Sequence, residues 1–252
     1  MVLDAGSEVE SRAVRPLIHK LERFGPLAEP ERDLLTRLAA EASLVAPRTD
    51  LAHEGEIPNC LFVFLEGMAC RYKVRSSGAR QILAYLVPGD FCDVDVGLLT
   101  RRDHAISTLS SCRVARIELD TLQDLIVNQP SLIRAMRRAT LVDDATAREW
   151  LVNVGSRSAI ERIAHLFLEL LLRLRAIGLT RGDSYDLPVS QLDLAETTGL
   201  STVHVNRTLQ DLKRQGLIEL RSRLLTIRNV PRLVTLSGFN PRYLSLETVG
   251  LP

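Results

Sequence analysis

The sequence predicts an α+β protein in three parts: an N-terminal β unit, a long helix, and a C-terminal winged helix-turn-helix. Three observations carry this reading. Short strand-like runs recur about every ten residues between 43 and 118, as in a sandwich, barrel or jelly roll. Beyond residue 120 the apolar period changes from two to between three and four. Between 190 and 229, two short amphipathic helices flank a glycine and a hairpin pattern follows.

Residues 13–41 read as two helical pieces. Leu17, Ile18, Leu21 and Phe24 form one stripe; Leu34, Leu35 and Leu38 form the next, after Pro30 near a helix start. The run CLFVFL (60–65) reads as a buried strand, and Glu66-Gly67 as a turn. In MACRYKV (68–74), Met68, Cys70, Tyr72 and Val74 alternate with Ala69, Arg71 and Lys73, a strand with one wet face. Turns at Ser76-Ser77-Gly78 and Pro88-Gly89-Asp90 bracket QILAYL (81–86). ISTL (106–109) and CRVARI (112–117) complete the strand candidates.

Asp120 reads as an N-cap at the change of period. Pro130 opens a long helical tract with Met136, Ala139, Val142 and Ala145 at three-residue spacing, and Gly155 is expected to interrupt it. Ser158 and Glu161 have capping-box spacing and start a second helix of about 18 residues, ending near Gly178. The long tract is too apolar for a lone connector. It packs on its own β unit or pairs with the same helix of a second chain; the segment that follows favours pairing.

RGDSYDLPVS (181–190) reads as a turn-rich link. Ser190 caps a short helix, with Asp193 three residues on and Leu192, Leu194 and Ala195 as apolar contacts. Thr198-Gly199-Leu200 is a tight turn, Ser201 caps the next helix, and Gly216 ends it. LIELRSRLLTIRN (217–229) reads as a hairpin, the wing, and 230–252 as a short helix and tail.

In the helix from Ser201, Val205, Leu209 and Leu212 face a core, whereas Thr202, Val203, Asn206, Arg207 and Gln210 share the opposite face. That is where a recognition helix meets base edges. The Arg207 fork suits guanine N7/O6, Asn206 or Gln210 suits adenine, and Val203 suits a thymine methyl. Ser201 and the free amides at the helix start suit a phosphate. Between 201 and 242, eight Lys/Arg face two acids, a local +6 within a chain of net +1. Such a patch draws duplex DNA by counterion release. The expected DNA contacts are Ser190, Ser201, Thr202, Val203, His204, Asn206, Arg207, Gln210, Arg214, Arg221 and Arg223.

Composition sets the limits. At 252 residues, 46% hydrophobic and 25% charged, the chain suits a globular protein of two modest domains. No apolar run reaches the ~18 residues of a membrane span. MVLDAGSEVESRAVRP lacks the apolar core of a secretory signal, so no membrane role and a cytoplasmic location are expected. Cys60, Cys70, Cys92 and Cys112 form no close pair and read as buried hydrophobes. No GxSxG, P-loop or HExxH occurs, and the lone Asp93-Val94-Asp95 is a weak metal motif, so no enzyme is expected.

The chain resembles the Crp/Fnr family of bacterial transcription regulators over nearly its whole length. GEIPNCLFVFLEG (55–67) and PGDF (88–91) resemble the family's β-roll; GSRSAIERIAHLFLELLLRL (155–174) and LAETTGLSTVHVNRTLQDLKRQGLI (194–218) resemble its hinge helix and DNA-reading helices. The resemblance implies a cyclic-nucleotide-binding-type jelly roll as sensor over 13–128, a dimerisation helix over 129–154, a Crp-type winged helix-turn-helix over 155–229 and a helical tail over 230–252. It implies a homodimer on a palindromic operator and contact with RNA polymerase. It also makes Arg207 a base reader. Thr202 and Val203 stand where some members carry Arg and Glu, so a different half-site is expected.

The sensor departs from the family's cyclic-nucleotide pattern. His104-Ala105 stands in place of the Arg-Ser pair that clamps the phosphate, and Asp93 and Asp95 would repel one. Cyclic AMP is therefore not expected to control the protein. Residues 1–59 hold no cysteine for an iron–sulfur centre, and His19, His53, His104, His165 and His204 are scattered, so no haem or other cofactor is expected. The effector is unknown; Asp93, Asp95, Arg101, Arg102 and His104 are the candidates for its pocket. The competing class is a sensor module that acts by protein contact with a degenerate DNA-binding domain.

Overall fold

The computed structural model describes residues 4–92 and 94–246, without the side chains of 4–12. Two compact units divide it: Met1–Tyr72 with Tyr85–Leu141, and Lys73–Ala84 with Val142–Pro252.

The first unit opens with α1 (Asp4–Glu22) and α2 (Glu29–Ala40). Two four-stranded antiparallel sheets follow. One runs β1 (Ser43–Val45), β8 (Cys112–Glu118), β3 (Cys60–Glu66), β6 (Phe91–Cys92); the other runs β2 (Asp50–Ala52), β7 (Ala105–Thr108), β4 (Ala69–Val74), β5 (Arg80–Leu86). The tip of the β4–β5 hairpin counts with the second unit.

Strand β3 explains its own unbroken apolar run. Leu61, Val63 and Leu65 join Leu17, Leu21, Leu35, Leu132 and Met136 in a core under the helices. Cys60, Phe62 and Phe64 join Ile106, Leu86 and Val114 in a core shared by both sheets. A strand covered on both faces has no polar alternation to show. All four cysteines are buried thiols outside any disulfide, and burial pushes the Cys60 and Cys112 thiols up, so they stay protonated.

Helix α3 (Leu119–Asn128) starts before Asp120, which corrects the cap reading. Glu118 holds the N-cap position and Asp120 lies in the first turn, where a carboxylate still favours the helix end. Helix α4 (Pro130–Ser156) also runs through Gly155. One glycine costs a helix about 1 kcal/mol, too little to stop it. The break comes at Ser158, whose amide and hydroxyl both donate to Glu161 Oε2 at 2.6 Å, starting α5 (Ala159–Ala176).

In the second unit, α5 is almost wholly buried and is packed by α6 (Gln191–Thr198), α7 (Thr202–Arg214) and α8 (Val230–Ser237). The stretch read as a link contains a strand, β9 (Ser184–Asp186), which pairs with β11 (Leu224–Ile227), itself paired with β10 (Ile218–Arg221). A three-residue strand with one apolar residue leaves no period to read. Its Tyr185 donates to the Phe167 carbonyl at 2.8 Å.

Helices α4 and α5 and the C-terminal segment meet at a buried polar cluster. The Glu169 carboxylate, fully buried, accepts from Trp150 Nε1 at 3.1 and 2.9 Å and from the Tyr243 hydroxyl at 2.9 Å. Arg173 lies 3.4 Å away. Burial still pushes the Glu169 carboxyl above the usual range. His165, also fully buried, packs on Phe239 and Tyr243, and its Nε2 lies 3.3 Å from Glu149. Burial, and then Arg157, hold His165 down at about 4 against the pull of Glu149, so it is neutral at pH 7.

That neutrality sets a pH dependence. On acidification from 6.5 to about 4 the unfolded chain takes a proton that folded His165 refuses, so stability falls as pH falls through this window. The loss is about 3 kcal/mol at most. Trp150, the single tryptophan, reports the cluster directly. In urea unfolding followed by its fluorescence, wild type should lose stability relative to His165→Gln across that window; parallel pH profiles would contradict the assignment.

Candidate nucleic-acid interface

Helix α6 starts on a reciprocal cap. The Ser190 hydroxyl accepts from the Asp193 amide at 3.1 Å, and the Ser190 amide and hydroxyl donate to Asp193 Oδ2 at 2.7 Å. Leu194 and Ala195 are buried as expected, but Leu192 is 56% exposed, because the first turn of α6 stands out from the core. The helix ends at Gly199, with φ 67° and ψ 28°. A side chain there would carry the left-handed penalty, and its Cβ would stand 3.4 Å from Val154. Arg162 Nη1 donates to the Thr198 carbonyl at 2.8 Å and pins the turn.

Ser201 then caps α7, accepting from the His204 amide at 3.3 Å. Val205, Thr208, Leu209 and Leu212 are buried. Ser201, Thr202, Val203, His204, Asn206, Arg207 and Gln210 are exposed. The core-facing row is thus spent on the unit's own interior, and the other row faces solvent. Val203, an apolar side chain, is 74% exposed on this face.

The wing pairs Ile218 with Ile227 and Leu220 with Leu225. Its two-residue tip, Ser222-Arg223, has φ 46° and 73°, the positive values that a tight hairpin requires. The Leu187 amide donates to the Arg223 carbonyl at 2.7 Å, so the tip is held from below. Arg221 and Arg228 both pair with Glu219 and hold its carboxyl below the usual range; Arg214 pairs with Asp211. Both acids of the basic stretch are therefore engaged. Arg207, Lys213, Arg223, Arg232 and Arg242 make no ion pair among the described residues.

Two family models match the chain. Residues 161–236 match the model of the Crp-like helix-turn-helix domain, and 44–129 that of the cyclic nucleotide-binding domain. The nitrogen fixation regulation protein FixK of Bradyrhizobium diazoefficiens is 30% identical over 66% of this chain and 68% of its own. The transcriptional activatory protein AadR of Rhodopseudomonas palustris is 28% identical over 77% and 80%. The structure of FixK2 from Bradyrhizobium japonicum superposes with a TM-score of 0.67, at 25% identity, over 77% of this chain and 96% of that one.

The chain belongs to the Crp/Fnr family of DNA-binding transcription regulators.

In this Crp/Fnr protein the four described candidate effector residues each have their own partner. Arg102 is buried, donates to the Cys60 carbonyl at 2.7 Å and lies over the Phe62 ring. Arg101 is exposed and donates to the Gly55 carbonyl at 2.7 Å. Asp95 pairs with Arg137 of α4 at 2.9 Å. His104 is buried with Nδ1 2.7 Å from Asp103. Asp93 lies outside the described residues. Sequence reasoning also missed Gln191, the first residue of α6, whose Oε1 accepts from Asn206 Nδ2 at 3.2 Å. Only the two amides themselves, fifteen residues apart, could have hinted at it.

Gly199→Ala should cost about 1–2 kcal/mol through the left-handed backbone, and Ser201→Ala about 1 kcal/mol through the lost cap. Urea denaturation of the two variants measures both. No change for Gly199→Ala would mean that the turn relaxes freely.

Proposed function

We propose that two copies of the chain, paired along α4, grip a palindromic operator and place each α7 in the major groove of one half-site. The observation that carries this is the exposed row Thr202, Val203, Asn206, Arg207 and Gln210 on a helix capped and pinned at its start. In this reading Arg207, exposed and without an ion pair among the described residues, takes guanine, and Asn206 and Gln210 read a neighbouring base. Thr202, Val203 and His204 border them, Val203 meeting a thymine methyl. Ser190, Ser201, Arg214, Arg221 and Arg223 hold phosphates.

The outward residues Leu141, Leu151 and Val152 of α4 support pairing with a second copy. Residues 13–128 then act as sensor, 129–154 as dimer helix, 155–229 as DNA reader and 230–252 as a tail. RNA polymerase is the proposed protein partner, the cytoplasm the place of action, and catalysis no part of the role. No helix among the described residues is long and apolar enough to cross a membrane. Cyclic AMP is not the proposed effector, because His104-Ala105 replaces the clamp and buried Arg102 is turned to a carbonyl.

Binding to a selected operator by fluorescence anisotropy tests this. Arg207→Ala should cost about 1–3 kcal/mol and relax the preference at one base pair. Arg223→Ala should weaken all sequences alike and lower the salt slope by about 1. Equal weakening of every sequence by Arg207→Ala would overturn its reading role.

A further inference from the structure

Base reading by an amide depends on which way the amide faces. Asparagine carries one oxygen acceptor and one nitrogen with two protons, and the two ends have nearly the same shape. A free side chain on an exposed helix face can turn either end outward. Asn206 is not free. Its Nδ2 donates to Gln191 Oε1 at 3.2 Å, across the gap between α7 and the first residue of α6. Both residues are exposed, so no packing demands this contact.

One Nδ2 proton is thereby used. What remains is one N–H and the Oδ1 acceptor. The major-groove edge of adenine offers one acceptor, N7, and one donor, N6. The restrained Asn206 is the complement of that edge, with the nitrogen end tethered on the side of α6. Fixing the side chain before DNA arrives also removes part of the rotamer entropy that binding would otherwise cost.

We propose that Gln191 is a positioning residue for operator specificity: it sets the orientation of the Asn206 amide, and the two form one adenine-reading unit that spans both helices of the motif. The inference rests on the DNA-reading role of α7 and adds to it a residue outside that helix.

The preference of purified protein is measured at every position of a half-site, by competition among duplexes that carry all four bases in turn. Gln191→Ala should lower the preference for adenine at a single position by about fivefold. Affinity for random duplex and the salt slope should stay unchanged. Gln191→Glu keeps the acceptor, so it should keep the adenine preference while its new charge weakens all duplexes equally. Asn206→Ala should abolish the preference at the same position, and adding Gln191→Ala to it should change nothing further.

Wild-type preferences at every position in Gln191→Ala would overturn the proposal while leaving DNA reading intact. So would additive effects of the two alanine variants, or loss of the adenine preference in Gln191→Glu. If wild type itself selects no sequence, the DNA-reading role fails first and this proposal with it.

Discussion

A carboxylate sealed from water is tolerable only when its oxygens are filled. Glu169 meets that condition through Trp150 on α4 and Tyr243 near the C-terminal end of the described chain. The contact therefore ties three stretches of sequence around one buried group. It lies across the break between α4 and α5 and on the helix against which α7 packs. A shift of α5 would strand a buried carboxyl group as well as open a gap. The neutral, buried His165 beside it adds aromatic packing from Phe239 and Tyr243. This is the frame from which α7 projects.

From that frame the exposed face of α7 follows in short steps. A left-handed glycine and a guanidinium on the Thr198 carbonyl set the turn. Ser201 starts the helix, and four residues at 3/4 spacing bury one side. What is left outside is polar or cationic, apart from Val203. The two acids of the basic stretch are paired with Arg214, Arg221 and Arg228, so they do not oppose Arg207. Pairing here is a surface matter worth little in stability; its consequence is the shape of the local field.

The second half of the chain was the more legible one, for physical reasons. Caps, glycine turns and helical spacing act within a few residues, so Ser158, Ser190, Gly199, Ser201 and Gly216 announce themselves. The long strands were visible because β3 is apolar on both faces and β8 is rich in β-branched and small residues. Strands β1, β2, β6 and β9 were not, since two or three residues hold no period. Gly155 and Asp120 misled because a single residue's preference is outweighed by the helix around it. The Glu169 cluster and the Gln191–Asn206 contact were hidden for a different reason: each joins positions far apart in sequence, and nothing local marks a partner. The same holds for the sensor candidates, where Arg102 proves to serve a backbone carbonyl.

The central claim is that α7 lies in the major groove. Dimethyl sulfate tests it directly, because it methylates guanine N7 in the major groove and adenine N3 in the minor groove. With a selected operator, the account expects protection of guanine N7 in both half-sites by wild-type protein, and its loss at one guanine per half-site with Arg207→Ala. Protection confined to adenine N3, or an N7 pattern that Arg207→Ala leaves untouched, would contradict it.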